Sequence, residues 1–402
     1  MSYMFHGCKK LQYLNLLHLD TKKVQNMKHI FSNMISLTNI NISSFQTVNV
    51  QDMSYMFYSD ENLENIEMPY FQTKNVKDMS YMFSGCKKIL KLDLNNFFTD
   101  NLVKIDSMFS SCHSLEKIQI TNFNTKYIQD MSHLFEDCYK LNTLEINEES
   151  FITSNVTLMK NMFKNCESLP ELKINFDTKL VQDMSSMFQG CKSLQNLNII
   201  NLDISSVKNI SYMFSGCDNL LDIYLPKIKS SNIVDMSHMF SECKNLININ
   251  NIQNIDTSNV EDMQSIFEGC ISLESLDLSN FKTPKLLKAN KMFYNCKKLE
   301  KLFLDNFDTS NLINMDYIFY KCNSLNSLDL SKFETNKVQS MKFMFNYCTN
   351  LNLLKLTKFN TINCGNFEAV FTGVKNLRIV INKENNEKLL EKIYGDYEII
   401  NE

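Results

Sequence analysis

The sequence predicts an α/β solenoid of about fifteen 26-residue coils, each giving one short strand to a parallel sheet on one face and one short helix to the other. Three observations predict it. A phenylalanine recurs from Phe5 through Phe31, Phe57 and Phe83 to Phe371, fifteen times in all, and eleven of the fourteen steps are 26 residues, the others 28, 25 and 27. Six residues after each phenylalanine an aliphatic residue recurs, from Leu11, Leu37 and Leu63 to Leu377. An alternating apolar pair then follows, as in Leu14/Leu16, Ile40/Ile42 and Leu354/Leu356, with the period of two that marks a half-buried strand.

The stretch from Asn75 to Asp100 shows one coil in order. Met79, Met82, Phe83 and Cys86 are spaced i, i+3, i+4, i+7, which predicts the inward face of a short helix. Asp78 stands before it, where a carboxylate caps free amides, and Gly85 stands where a left-handed residue ends it. Leu92 and Leu94 alternate with Lys91 and Asp93 and predict the strand. Phe97 re-enters the core and Thr99 leads to the next coil. Fifteen strands at the usual spacing make a sheet about 70 Å long. The irregular steps displace Phe151, Phe176 and Ile255 but not the strands before them, so length variation falls in the turn after the strand.

A chain of 402 residues ordinarily divides into domains, but coils that touch only their neighbours can extend as one array. Residues 1–381 read as a single repeat domain and 382–402 as a C-terminal cap, because the last coil loses its Met and Cys residues and Lys383 to Ile393 is polar and helix-prone. Met1 occupies the repeat's own Met position, so the chain begins inside a coil, and a cap or export signal is expected upstream of it.

The net charge is −4 and Arg378 is the one arginine, a composition that argues against a nucleic-acid partner. No run of 18 apolar residues exists, so no membrane insertion is expected from this chain. Twelve of the thirteen cysteines share one register, three after the phenylalanine, and whole-coil spacing differs from both CxxC metal knots and clustered disulfide frameworks. They read as a ladder of buried thiols, interrupted by Met34, Asp60 and Val374. The methionine column reads as core packing, the recurrent Asp52, Asp78 and Asp130 as caps, and His29, His133 and His238 as outward-facing surface residues. No catalytic constellation, cofactor site or metal site is expected.

One surface remains for binding. Strand residues that point away from the core line the sheet face, where repeat proteins generally bind. Tyr13, Asn41, Glu67, Asp93, Glu145, Lys173, Tyr224, Asp277, Phe303 and Asp329 are the candidate contacts, with Tyr13, Tyr224 and Phe303 as the aromatic anchors.

The segments TKNVKDMSYMFSGC (residues 73–86) and CISLESLDLSNF (residues 270–281) resemble the repeats of BspA-like leucine-rich-repeat surface proteins of bacteria and some protists. The resemblance covers roughly residues 1 to 381. It implies a leucine-rich-repeat-like, right-handed solenoid. It also implies a secreted or surface-anchored protein that adheres to host proteins, matrix or other cells, with no catalytic residues to transfer. The chain departs from that pattern in showing no signal, wall-sorting motif or lipid anchor. An intracellular scaffold organising partner proteins is the alternative, and free thiols throughout would suit it.

Overall fold

The structure, a computed structural model, describes residues 1–172, 175–195, 197, 199–226, 231–393 and 397–401. It falls into two compact parts, residues 1–194 and 195–402. Each is a parallel β-solenoid.

In the N-terminal part, β1 (Asn39–Asn41) pairs with β2 (Asn65–Glu67), and β3 (Lys91–Asp93) pairs with β4 (Lys117–Gln119), which pairs with β5 (Thr143–Glu145). Equivalent residues of successive coils face each other, Ile40 with Ile66 and Leu92 with Ile118. The C-terminal part repeats the arrangement through β6 (Asp222–Tyr224), β7 (Asn248–Asn250), β8 (Ser275–Asp277) and β9 (Lys301–Phe303). It ends on a four-stranded sheet of β10 (Ser327–Asp329), β11 (Leu353–Leu356), β12 (Leu377–Ile381) and β13 (Tyr397–Asn401). The middle residue of a strand points inward and its neighbours outward, so Leu92 is buried between exposed Lys91 and Asp93.

The expected helix over Met79–Cys86 does not form, and no α-helix lines that side of any described coil. Overlapping tight turns take its place. The amides of Met82, Ser84 and Cys86 donate back to the carbonyls of Met79, Tyr81 and Phe83 at 3.1–3.2 Å. The alternate amides, those of Met79, Tyr81, Phe83 and Gly85, donate to the next coil, at Lys104, Asp106, Met108 and Ser110. A helix would spend every amide inside its own segment and leave none to join coils. The turn spiral satisfies every amide and ties coil to coil, and its period of four keeps Met79, Met82, Phe83 and Cys86 buried. Left-handed residues close the turns, Tyr81 at φ 57° and Gly85 at φ 79°. The glycine thus adopts the conformation expected of it, inside a turn and not at a helix end. Asp78 caps as expected, but locally: its Oδ1 accepts the Ser80 amide at 3.0 Å and the Ser80 hydroxyl at 2.6 Å.

Ladders of like residues fill the core. The repeat phenylalanines stack ring on ring, Phe31 on Phe57 at 5.5 Å, Phe57 on Phe83 at 5.5 Å and Phe83 on Phe109 at 5.9 Å. The C-terminal part does the same, Phe267 on Phe293 at 5.6 Å and Phe293 on Phe319 at 5.5 Å. Each such pair adds about 0.5–1.5 kcal/mol beyond the area it buries. A second column stacks Phe71 on Phe97 at 6.0 Å and Phe97 on Phe123 at 6.4 Å. In the C-terminal part Leu202 and Ile255 stand in that column, before it resumes with Phe281 and Phe307.

Twelve of the thirteen cysteines are buried and all are free, with Cys8 exposed. The ladder thiols from Cys86 to Cys191 and from Cys243 to Cys348 donate to the carbonyl of the preceding coil's phenylalanine, Cys86 to Phe57 at 3.2 Å and Cys348 to Phe319 at 3.0 Å. Burial pushes the Cys112 and Cys191 thiols up to about 12, so these sulfurs are protonated donors and poor nucleophiles. Asp60 occupies the same column. Its Oδ1 accepts the Met34 amide at 2.7 Å, its Oδ2 has no partner, and burial holds its carboxyl well above the usual range.

A third ladder went unread in the sequence. The Thr47 hydroxyl donates to the Gln72 carbonyl at 3.1 Å and accepts the Gln72 amide at 2.7 Å, and Thr99 does the same with Asn124. These buried hydroxyls do the work of a backbone bridge where the turn offers none. Beyond the last coil, α1 (Glu387–Leu390) lies in the stretch read as helix-prone. Buried Asn386 accepts from the Thr361 hydroxyl at 3.1 Å and donates to Phe359 and Asn382 at 2.8 Å, ending the threonine ladder. β13 then adds a strand that the sequence pattern did not announce.

Candidate functional site

Parallel pairing with a one-coil register sets like positions of the strand face beside each other. In the N-terminal part, Asn41 of β1 donates to Glu67 of β2, and the Asn65 amide donates to Asn39 at 2.7 Å. Asp93 of β3 is exposed. Glu145 of β5 is clamped by Lys117 at 2.6 Å and Gln119 at 2.5 Å, and the Lys117 and Gln119 hydrogen bonds hold its carboxyl below the ordinary glutamate value. Tyr13 lies ahead of β1 and is 87% exposed.

In the C-terminal part, Tyr224 of β6 is 54% exposed and Phe303 of β9 is 50% exposed, with Phe303 directly opposite Asp277 of β8. Hydrogen bonds from the Ser279 hydroxyl and amide hold Asp277 low. Asp329 of β10 is held low as well: burial opposes ionisation, but bonds from Ser331 and Lys355, the latter at 3.2 Å, prevail. Lys173 lies outside the described residues. The structure therefore joins Asn41 to Glu67 in one part and sets Asp277 beside Phe303 in the other, and within neither part do the described candidates form one cluster.

A groove of about 860 Å³ lies on the N-terminal strand face over β1–β3, lined by Asn39, Asn65, Glu67, Lys91, Asp93 and Asn96. Mixed charge, amide donors and acceptors on a rigid backbone suit a polar macromolecular surface. Among the described residues, no group of three or more His, Cys, Asp or Glu side chains could hold a metal ion. On the turn side, His133 Nδ1 lies 2.5 Å from Glu136, which also accepts from Lys164 at 2.9 Å.

Sequence reading missed the aromatic columns of the turn side. Tyr3, His29, Tyr55 and Tyr81 stack successively at 4.6, 4.5 and 4.6 Å. Tyr212 stacks on His238 at 4.3 Å, and Tyr317 on Phe343 at 4.9 Å. All occupy the left-handed position two before the core phenylalanine. Within each stack the ring faces are used by each other. The recurrence of Tyr or His at that position was visible; its meaning depended on the turn geometry. Burial, then the neighbouring His6, lowers the His29 pKa.

The sequence matches the family described as "Mycoplasma protein of unknown function, DUF285" over residues 1–118, 60–170, 103–228, 221–303 and 299–393. No match was found among curated proteins. Solved structures with similarity include a leucine rich cell surface protein from Faecalibacterium prausnitzii, at 18% identity and a TM-score of 0.42, covering 72% of this chain and 78% of that one. A leucine-rich-repeat protein from Bacteroides ovatus shares 18% identity at a TM-score of 0.40, covering 81% and 80%. Another from Eubacterium ventriosum shares 16% at 0.42, covering 78% and 80%. Among the described residues, no helix is long and apolar enough to cross a membrane.

Proposed function

The chain belongs to the DUF285 repeat family, and we propose that it is a non-enzymatic binding protein of the cell surface or secreted space. It contacts a protein ligand, such as a host or matrix protein, through the strand face. In this reading the fifteen repeats build one right-handed array over residues 1–381, closed by residues 382–402. The observation that carries it is the division of labour within each coil. Turn-side backbone and core side chains are committed to the fold, while Asn41, Glu67, Asp93, Tyr224, Asp277 and Phe303 stand on strands with their side chains outward. Exposed aromatics amid polar residues on a fixed scaffold are the composition of interface anchors.

Protease shaving of intact cells, followed by mass spectrometry of the released repeat peptides, tests the location. Adhesion of purified chain to immobilised matrix proteins, with and without Tyr224→Asp and Phe303→Asp, tests the face. Release of repeat peptides, and adhesion lost in the variants at unchanged melting temperature, are the expected results. Peptides found in the lysate alone would favour the second reading, an intracellular scaffold, which the thirteen free thiols support.

A further inference from the structure

The array supplies its own reference for each position, because like residues recur at like places around the buried threonine. Three residues before that position, which Ile204 and Ser230 fill in two coils, every coil carries Asn, Ser, Lys or His except one, which carries Tyr70. One residue before it, the position is polar in every coil but two, which carry Phe98 and Ile152. One residue after it, the aliphatic residues are Val48 and Ile362. Three of these departures, Val48, Tyr70 and Phe98, fall in three successive coils. The structure brings them together in one groove of about 560 Å³, completed by Pro69, Asn75 and Asn96. Burial does not demand them: Tyr70 is 72% exposed, Phe98 54% and Val48 44%.

The chemistry of this groove is specific. Core and turn-side rings stack on one another, but neither Tyr70 nor Phe98 stacks on another ring, and both line the groove more than half exposed, which leaves ring surface open to a ligand. The rings are mounted on pinned backbone, with the Thr73 hydroxyl donating to the Phe98 carbonyl at 2.9 Å and Thr47 bonded both ways to Gln72. Asn75 and Asn96 spend their amide N–H groups on the Val48 and Met68 carbonyls at 2.8 and 3.1 Å, which leaves their side-chain oxygens as acceptors on the rim. The one charged pair at the rim, Lys74 with Asp100 at 3.8 Å, cancels itself. Open aromatic faces take the C–H face of a pyranose ring, the amide oxygens take hydroxyl donors, and the absence of net charge leaves nothing to attract an anion. We propose that the groove of Val48, Tyr70 and Phe98 is a binding site for a neutral saccharide. It lies in the turn after the strand and does not depend on the strand face binding a protein.

The test is a printed array of neutral, sialylated and sulfated oligosaccharides, probed with the whole chain and followed by titration of the glycans retained. The comparison is the double variant Tyr70→Asn/Phe98→Asn, which restores residues that other coils carry at these positions and so keeps the fold. Retention on neutral glycans is expected, weakened at least tenfold in the variant at unchanged melting temperature, with no gain from sialic acid or sulfate. Should the double variant melt lower, Val48→Lys, the residue at Lys22, Lys74 and Lys126, carries the same comparison. No retention on any neutral glycan, preference for acidic ones, or binding that the variants leave unchanged would overturn the proposal.

Discussion

Within a single coil, the turn segment Asp78–Cys86 and the strand Lys91–Asp93 are opposites. In the turn segment alternate amides bind within the coil and to the next, and four side chains are buried with no accessible surface. In the strand only Leu92 is committed inward, and Lys91 and Asp93 present charge to solvent. The contrast teaches that constraint and freedom are segregated by face. Substitutions on the turn side report on folding, and substitutions on the strand face report on ligands.

The largest test of that separation is Phe83→Ala, which removes a ring stacked between Phe57 and Phe109. It should cost roughly 3–5 kcal/mol and loosen neighbouring coils, seen as a lowered denaturation midpoint. Next, Asp60→Cys replaces a buried carboxyl with the residue of its own column. Removing the unsatisfied oxygen should stabilise by about 1–3 kcal/mol once the Met34 amide, which loses its Asp60 acceptor, turns back to the Phe31 carbonyl as the Cys86 amide does to Phe83. The folded chain holds this proton more tightly than the unfolded one, so the stability contributed by Asp60 is present below about pH 4 and lost as pH rises through the folded-state value. Asp60→Cys should therefore flatten that pH dependence. Gly85→Ala forces a left-handed alanine whose Cβ would sit 3.2 Å from Ser59 Cα, and should cost about 1–2 kcal/mol.

A smaller effect is expected at His29. Its folded-state pKa is lowered, so the unfolded chain binds the proton better, and stability should fall as pH drops below about 6.5. His29→Tyr, the residue of the same column at Tyr55 and Tyr81, should reduce that sensitivity in thermal melts between pH 7 and 5, leaving the share of His238, whose pKa burial also lowers. The smallest effect belongs to the other face. Asp93→Ala should change stability by no more than about 0.5 kcal/mol. A larger loss would show that the strand face carries structural load and would break the comparison.

Much of this was legible in the sequence because it rests on periodicity. The phenylalanine, leucine and cysteine columns and the strand alternation are spacing signals, and the structure places Phe83, Leu92 and Cys86 inward as they require. The turn spiral was not legible, because Met79, Met82, Phe83 and Cys86 have the same spacing on a helix and on a chain of turns. The discriminating sign was a pair of left-handed positions four residues apart, Tyr81 with Gly85 and His29 with Asn33. The threonine ladder was hidden because a hydroxyl's partners lie a whole coil away. At the candidate site, exposure of Asn41, Asp93 and Tyr224 followed from alternation, whereas the hydrogen bonds among Lys117, Gln119 and Glu145 depended on a register that only coordinates provide.

The most direct measurement of the central claim is site-specific photocrosslinking in living cells. The photoreactive residue p-benzoylphenylalanine would replace Asp93 and Asp277 on the strand face, and Tyr81 and Phe343 on the turn side. The account predicts that both strand positions crosslink to the same partner protein and that the turn positions give none. Crosslinks confined to Tyr81 and Phe343, or equal from both faces, would contradict it.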